Sequence, residues 1–176
     1  GLRSIASGFQ SIKAGDSKIV IAGGQESMSL APHATFIRDG KKLGNLEMTD
    51  TMIKDGLWDA FNGYHMGVTA ENVATKFQVT REQQDKFALA SQEKALRAQK
   101  ENKFKNEIID FKIKSKKSET IFNEDEHIRE GTSLDTLSRL KPVFQKNGTV
   151  TAGNASGIND GAAAVVLMEE KEAEKK

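Results

Sequence analysis

Residues 18–24 read Lys18-Ile19-Val20-Ile21-Ala22-Gly23-Gly24, a short apolar run that is rich in β-branched side chains and ends in glycine. β-Branched residues favour strands, and a continuous apolar run without alternation is typical of a strand that is buried on both faces. Such strands occur mostly in parallel sheets. The stretch therefore predicts a buried strand, which we expect to run parallel to its neighbours.

A second apolar run near the end of the chain, Ala162 to Met168, predicts another buried strand. Ahead of the first strand, Leu2, Ile5, Phe9 and Ile12 recur at steps of three and four residues, which is the spacing of an amphipathic helix. Strands that alternate with helices indicate an α/β fold with a layered core.

Between the two strands the pattern predicts a long, mostly helical insertion. We therefore divide the chain into segments 1–25, 26–146 and 147–176, of which the first and last belong to the α/β core. Residues 25–64 are rich in Gly, Asn, Asp and Met with brief apolar patches, which predicts an excursion with short helices. Loop-like segments of this kind often carry functional residues.

Two helices are expected after this excursion. The first covers residues 69–77. The second opens with Thr80 and Gln83 in the pattern of a capping box and continues to about Lys100. Its apolar face is expected to contain Phe87, Ala88, Ala90 and Leu96.

The remaining elements are shorter. Residues 108–113 alternate like a strand, and the Lys-rich residues 115–118 are expected to form an exposed turn. A short helix is predicted from Leu134 to Leu140, before Pro142, because proline cannot continue a helix. A further strand is expected to begin at residues 149–152.

Composition narrows the classes of function. The 176 residues carry 26 Lys plus Arg and 25 Asp plus Glu, and the net charge of +1 lacks the basic excess of most nucleic-acid-binding proteins. Mean hydropathy is −0.53, and the longest apolar run, residues 162–168, is far shorter than the roughly 18 residues of a membrane span. We therefore expect a soluble protein without a nucleic-acid or membrane partner.

The chain contains no cysteine, which excludes disulfides, thiolate metal sites and a thiol nucleophile within these residues. It opens inside an amphipathic helix without an initiator Met and closes on a charged helical pattern without a capping glycine. We expect both ends to be cuts in a longer protein, with a processed N-terminus and a solvated tail as the alternative.

A Gly-rich segment, residues 149–161, is the most unusual stretch. Gly153, Gly157 and Gly161 recur at intervals of four, which leaves one region without Cβ atoms, and Ser156 adds a short hydroxyl there. The segment matches neither a P-loop, nor G-x-G-x-x-G, nor the G-x-S-x-G nucleophile elbow. From the residues alone, a tight structural turn and a ligand-contacting loop both stay open.

The histidines and lysines favour structural interpretations. His33, His65 and His127 lie far apart in sequence without paired carboxylates, so a metal site is not expected, and each is more typical of a hydrogen-bonded structural residue. The seven lysines between Lys100 and Lys117 are mixed with acidic residues. This mixture favours a solvated face over an anion-binding patch.

Three motifs combine into a recognisable pattern: Ile21-Ala22-Gly23-Gly24-Gln25-Glu26-Ser27-Met28-Ser29, Gly63-Tyr64-His65-Met66-Gly67-Val68-Thr69-Ala70-Glu71-Asn72, and Ala152-Gly153-Asn154-Ala155-Ser156-Gly157-Ile158-Asn159-Asp160-Gly161-Ala162-Ala163. Together they resemble the thiolases, and within that family the biosynthetic acetyl-CoA acetyltransferases. The resemblance covers nearly the whole chain. It implies part of the layered N-terminal α/β half of the thiolase fold together with an inserted, mostly helical loop domain.

The resemblance also implies a reaction. Members of the family condense two acetyl-CoA to acetoacetyl-CoA and CoA, or run the reverse thiolysis, through an acyl-cysteine and in a ping-pong mechanism. No metal or redox cofactor is expected, since CoA and acetyl-CoA are substrates.

By the same resemblance, the catalytic groups lie outside the chain. The family's nucleophilic cysteine belongs to Cys-Gly-Ser-Gly-Leu-Arg, and this chain opens at Gly1-Leu2-Arg3, so the cysteine is expected three residues earlier. The later Asn-Glu-Ala-Phe, Gly-His-Pro and Cys-x-Gly motifs are expected after Lys176. We therefore assign no catalytic residue here and expect the chain to be inactive alone.

What the resemblance places within the chain is a CoA-binding surface. Positions near the acyl end and pantetheine are Leu57, His65 and Met66. Positions near the adenine nucleotide are Arg129 and Thr136. Positions that line the pantetheine tunnel are Phe144, Ala152, Ala155, Ser156 and Gly157. An Arg suits a phosphate or a stacked adenine, and small residues suit a thin amide-bearing arm.

Residues 32–48 resemble the arm through which family members form tetramers, so a homo-oligomer, in particular a tetramer, is expected for the full-length protein. The cytoplasm is the expected location, with an organelle as the alternative. A long-chain 3-ketoacyl-CoA thiolase is one rival, although relatives of that kind usually lack the histidine of Tyr64-His65-Met66-Gly67. A non-catalytic acyl-CoA-binding or assembly module is the other.

Overall fold

A computed structural model describes residues 1–116 and 118–176. The helices are α1 (Leu2–Ala14), α2 (Met66–Lys76), α3 (Arg81–Lys100), α4 (Leu134–Ser138) and α5 (Glu170–Ala173). The strands are β1 (Ile19–Glu26), β2 (His33–Ala34), β3 (Thr49–Asp50), β4 (Trp58–Asp59), β5 (Tyr64–His65), β6 (Phe111–Lys114), β7 (Glu119–Phe122) and β8 (Gly161–Met168). No described helix has both the length and the apolar character that crossing a membrane requires.

The described residues cluster into two compact units. The first unit comprises Gly1–Gly56 and Ile158–Lys176, and the second comprises Leu57–Gly157. The division into segments 1–25, 26–146 and 147–176 stays a prediction.

The first unit is built on the predicted helix and the predicted pair of apolar strands. Ile12 is buried, and Gly15 ends α1 in the left-handed region with φ 80°, where its N–H donates to the carbonyl of Ile12. Gly8 lets α1 approach the strands, since a Cβ there would lie 2.9 Å from Leu167 and 3.0 Å from Val20. The helix is confirmed, but its predicted apolar face is only partly right, because Leu2 is 86% and Phe9 58% exposed.

The expected parallel strand is wrong. β1 pairs with β8 in antiparallel register, with Ile21 opposite Val166 and Ala22 opposite Val165. A run of apolar β-branched residues predicts a strand, but its direction depends on which partner pairs with it. That partner is distant in sequence, so the local pattern contains no information about direction.

Burial of these strands on both faces is also wrong for the described chain. α1 covers the face that carries Val20 and Leu167, and Ala22 on that face is 5% exposed. The opposite face is open, with Ile21 75% and Val166 58% exposed. The two-stranded ribbon therefore presents an apolar face that no described residue covers.

The rest of the first unit follows the predicted excursion. It contains a 3₁₀ turn at Met28–Leu30, the short antiparallel pair β2–β3 and all but the last residue of a π-helical turn at Met52–Leu57. Ser29 ties the excursion back to β8, because its backbone N–H and its hydroxyl both donate to the carboxylate of Asp160.

In the second unit, α2 begins three residues before the predicted start. His65 occupies the N-cap position, and its Nδ1 accepts a hydrogen bond from the backbone N–H of Gly67 at 2.9 Å. Helix starts are usually recognised by Ser, Thr, Asp or Asn. An imidazole that serves the same purpose therefore escapes the pattern.

The capping box of α3 is confirmed. The hydroxyl of Thr80 accepts from the N–H of Gln83, and the side chain of Gln83 accepts from the N–H of Thr80. The predicted apolar face is partly wrong, because Phe87 is 78% exposed whereas Asp85 is only 4% exposed. Around Asp85 the inward side of α3 serves a hydrogen-bond network, whereas Ala88, Ala90 and Leu96 of the predicted face are half-buried.

Three shorter elements differ from expectation. The strand predicted at 108–113 is β6, Phe111–Lys114, which forms an exposed hairpin with β7. The N–H of Ser115 donates to the carbonyl of Ser118 at 2.8 Å and closes the turn of this hairpin. Lys117, part of the predicted turn 115–118, lies outside the described residues. α4 ends at Ser138 rather than Leu140. The strand expected at 149–152 does not form, because the backbone N–H groups of Thr149 and Val150 bind a carboxylate instead of a neighbouring strand.

Candidate functional site

Every residue of the predicted CoA-binding surface falls in the second unit. Contacts sort these residues into three places. The first is the start of α2, with Leu57, His65, Met66 and Phe144. The second is the loop 149–157, with Ala152, Ala155, Ser156 and Gly157. The third is the region around α4, with Arg129 and Thr136.

His65 lies at the centre of the first place. Its ring stacks on Phe144 with centroids 4.8 Å apart and planes 23° apart. Because Nδ1 accepts from the N–H of Gly67, the neutral ring must carry its proton on Nε2. His65 can therefore donate one hydrogen bond from a fixed orientation.

Gly67 makes this stack possible, although sequence reasoning did not select it as a site residue. A Cβ at this position would lie 2.3 Å from the ring of Phe144. Gly67 is itself buried at the start of α2. The sequence predicted the helix to begin at residue 69, so Gly67 read as an ordinary loop glycine before it.

Leu57 and Met66 flank His65 through the backbone. Leu57 is half-buried and precedes Trp58, which pairs with His65 between β4 and β5. Met66 follows His65 and is 38% exposed. The structure thus stacks Phe144 on His65, while Leu57 and Met66 are neighbours in the chain of the β4–β5 pair that carries His65.

The loop 149–157 is held as a tight turn whose outer residues face solvent. The N–H of Asn154 donates to the carbonyl of Thr151 at 3.3 Å, and Ala152, Ala155, Ser156 and Gly157 are exposed. Gly157 lies against the imidazole of His127, since a Cβ there would be 2.4 Å from Cε1. The two interpretations of this segment are compatible, because a rigid turn can present small residues to a ligand.

Gly153 joins this loop to α4. A Cβ on Gly153 would lie 2.6 Å from side-chain carbons of both Leu137 and Leu140. Thr136 precedes Leu137, and its hydroxyl works in the capping box of α4, donating to the carbonyl of Ser133 at 2.9 Å. Thr136 therefore fixes the start of α4 in this structure.

Arg129 is exposed and anchored by its main chain. Its N–H donates to Oε1 of Gln92 on α3 at 3.0 Å, and its carbonyl accepts from the hydroxyl of Thr132 at 2.8 Å. Within residues 1–116 and 118–176, its guanidinium forms no hydrogen bond or ion pair. A cation that is positioned by its backbone and has no protein partner is suited to an anionic ligand.

Glu71 is a second residue that the sequence did not single out. It is 4% exposed, and its carboxylate accepts from the N–H of Thr149 at 2.8 Å, from the N–H of Val150 at 2.8 Å and from the hydroxyl of Thr149 at 2.9 Å. Gly148 allows this approach, because a Cβ there would lie 2.2 Å from Glu71 Oε1. A lone carboxylate within the apolar pattern of α2 was the available signal.

Two opposing effects act on the pKa of Glu71. Burial raises it, but the hydrogen bonds from the backbone of Val150 and from the backbone and hydroxyl of Thr149 outweigh burial and hold the pKa below its ordinary value of 4.5. Glu71 is therefore ionised at neutral pH, and its charge fastens the start of the loop 149–157 to α2.

Three further features of the described residues lie outside the predicted CoA-binding surface. No group of three His, Asp or Glu side chains among them could hold a metal ion. The Lys-rich region forms surface ion pairs, such as Lys100 with Glu130 and Lys112 with Glu119, as a solvated face would. Two shallow clefts, one beside β1 and β8 and one lined by Arg81, Asp85 and Leu134, contain none of the predicted CoA-binding residues.

Comparisons with known proteins identify the family. A family model described as the N-terminal domain of thiolase matches residues 1–171. The chain is 60% identical to an acetyl-CoA acetyltransferase of Paracoccus denitrificans over 173 residues, 98% of this chain and 44% of that protein. It is likewise 60% identical over 173 residues to an acetyl-CoA acetyltransferase of Rhizobium meliloti, again 98% of this chain and 44% of the relative.

Solved structures show the same fold. The acetyl-CoA acetyltransferase of Syntrophomonas wolfei matches with a TM-score of 0.92 and 43% identity, over 99% of this chain and 44% of that one. Human mitochondrial 3-ketoacyl-CoA thiolase matches with a TM-score of 0.88 and 41% identity, over 99% and 45%. The chain thus spans less than half the length of the relatives it matches, and by the family model and these identities it belongs to the thiolase family.

Proposed function

We propose that the protein containing this chain is an acetyl-CoA C-acetyltransferase. It condenses two acetyl-CoA to acetoacetyl-CoA and CoA, or performs the reverse thiolysis. The observation that carries the proposal is the 60% identity over 98% of the chain with a relative named acetyl-CoA acetyltransferase.

In this proposal the second unit binds CoA along its length. Leu57, His65 and Met66 contact the acyl end, with His65 offering its Nε2–H from the stack on Phe144. The small exposed residues of the loop 149–157 contact the pantetheine arm. Arg129 and Thr136 contact the adenine nucleotide, which is consistent with the guanidinium of Arg129 having no partner among the described residues.

The chemistry proper requires groups from outside the 176 residues. The chain has no cysteine, so the thiolate that carries the acyl group in the ping-pong mechanism comes from elsewhere in the full-length protein. No metal or redox cofactor takes part in the proposed reaction. The contribution of this chain is to bind and orient the thioester substrate.

We also propose that the full-length protein is a cytoplasmic homotetramer. The segment 32–48 supports assembly, because its apolar residues Phe36, Leu43 and Met48 are at least 64% exposed. Neither a nucleic acid nor a membrane is a proposed partner.

The test is to assay the full-length enzyme with acetoacetyl-CoA and with a long-chain 3-ketoacyl-CoA. We expect thiolysis of acetoacetyl-CoA with kcat/KM at least about tenfold higher than for the long-chain substrate, because each extra methylene costs about 1–3 kcal/mol in a fitted pocket. The reverse preference would favour a long-chain 3-ketoacyl-CoA thiolase. CoA binding without any turnover would favour a non-catalytic acyl-CoA-binding module.

A further inference from the structure

A buried carboxylate outside the predicted CoA-binding surface joins two parts of it. Asp85 on α3 is 4% exposed. Its Oδ1 accepts from Nδ2 of Asn154 at 3.0 Å, and its Oδ2 accepts from Nε of Arg81 at 2.8 Å. One carboxylate therefore binds Asn154 of the loop 149–157 with one oxygen and Arg81 of α3 with the other.

In the loop 149–157, both the NH₂ group and the oxygen of the Asn154 side chain form hydrogen bonds. Nδ2 also donates to the carbonyl of Thr149 at 3.1 Å, and Oδ1 accepts from the N–H of Thr151 at 2.7 Å. These bonds close the turn that presents Ala152 and Ala155. Both donors of the amide have partners, so Asp85 supplies one of the three hydrogen bonds that hold Asn154 in this geometry.

On the helix side, Arg81 satisfies the end of α4. Its Nη2 donates to the carbonyls of Leu137 at 2.6 Å and Leu140 at 3.0 Å. Carbonyls at the end of a helix lack partners within the helix, so a cation there stabilises the helix and fixes where it ends. α4 carries Thr136 in its first turn, so Arg81 helps to position one of the two residues proposed to contact the adenine nucleotide.

We propose that Asp85 is a positioning residue that fixes the loop 149–157 and α4 relative to each other. One buried carboxylate would then affect CoA affinity both at the pantetheine arm and at the adenine nucleotide. This inference rests on the proposed function. A carboxylate suits the task because it accepts from two donors at once, and bonds to a charged acceptor are stronger than neutral ones. A neutral amide at position 85 would turn its NH₂ toward one of the two donors.

The proposal predicts different effects on two substrates, whereas a network that only stabilises the fold would affect both substrates equally. Two substrates of different length distinguish the contribution of the loop 149–157 from that of α4. A thioester of pantetheine lacks the adenine nucleotide and so cannot use the contacts proposed near α4. Loosening the helix side alone should weaken binding of the CoA thioester and leave the pantetheine thioester unaffected. Loosening the carboxylate itself should weaken both.

The experiment compares Arg81→Lys and Asp85→Asn in the full-length enzyme. Each is assayed with acetoacetyl-CoA plus CoA and with acetoacetyl-pantetheine plus pantetheine. For Arg81→Lys we expect KM for acetoacetyl-CoA to rise about tenfold, with KM for the pantetheine thioester and both kcat values within about twofold of wild type. For Asp85→Asn we expect KM to rise about tenfold for both substrates.

Arg97→Lys and Glu82→Gln are matched controls, since both side chains are exposed on the same helix. Neither should change either KM. Arg81→Lys retains the cation and carries the test alone if Asp85→Asn does not yield folded enzyme.

The outcomes separate the two proposals. If Arg81→Lys leaves the ratio of KM for acetoacetyl-CoA to KM for acetoacetyl-pantetheine unchanged, the positioning role is overturned, even where Tm falls. Turnover of acetoacetyl-CoA by the wild-type enzyme would in that case still support the proposed function. A wild-type enzyme that does not turn over acetoacetyl-CoA would overturn both.

Discussion

At the scale of single residues, Gly67 decides the geometry around His65. A Cβ would lie 2.3 Å from the Phe144 ring, so Gly67→Ala must displace the ring from its stack on His65. In the full-length enzyme we expect a loss of about 1–3 kcal/mol in the free energy of unfolding, as for other overpacked sites, and a higher KM for acetoacetyl-CoA.

Gly56→Ala is the matched control, because nothing lies within 4 Å of a Cβ built there. Denaturant unfolding and steady-state kinetics on both variants make the comparison. Equal effects of the two substitutions would contradict the role assigned to Gly67.

Met66 is predicted to set chain-length selectivity. In the proposed site, the flexible thioether beside His65 would limit the space behind the acetyl group, so Met66→Ala should lower kcat/KM for acetoacetyl-CoA and lose less, or gain, on a longer 3-ketoacyl-CoA. Ser156→Ala should weaken both substrates by a similar factor, because the pantetheine arm is common to them. A lower Tm with an unaltered substrate ratio for Met66→Ala would show that Met66 only fills space.

At the scale of elements, the contact between α2 and the loop 149–157 depends on the charge of Glu71. Because its pKa is lowered in the folded protein, the stabilisation is fully present above the ordinary value of 4.5 and is lost as pH falls through the lowered pKa. We expect the Tm difference between the full-length wild type and Glu71→Gln to be largest near pH 7 and to shrink on acidification below about pH 4.5.

The comparison for this prediction is Glu82→Gln on α3. Glu82 pairs with Lys86 at 2.7 Å on an exposed face, where solvent screens the interaction. Its substitution should change Tm less at every pH. A Glu71→Gln difference that does not vary with pH would mean that hydrogen-bond geometry alone, without charge, holds the loop.

At the scale of the whole molecule, the 176-residue chain expressed alone should be inactive and associate with itself. It has no cysteine for acyl transfer, and the open face of the β1–β8 ribbon exposes Ile21 and Val166 side by side. Ile21→Lys should reduce light scattering by the isolated chain without creating activity. Thiolysis by the pure chain, or a reversible monomeric melt of the unsubstituted chain, would contradict this expectation.

Local patterns were sufficient for several features. The apolar spacing of residues 2–12 predicted α1, and Thr80 with Gln83 predicted the capping box of α3, because helix periodicity and capping operate within a few residues. Three motifs were sufficient to predict the family, which the match over residues 1–171 confirms. The CoA-binding residues stay a prediction, although the structure places all of them in one unit.

Only the tertiary structure decided the direction of β1, the open face of the ribbon and the burial of Asp85 on α3. Each depends on partners that are distant in sequence: β8 for β1, and Asn154 for Asp85. Glu71 is the clearest example, because its charge replaces the strand partner that Thr149 and Val150 were expected to have. A hydrogen-bond donor needs an acceptor, and the local sequence does not determine whether a strand or a side chain supplies it.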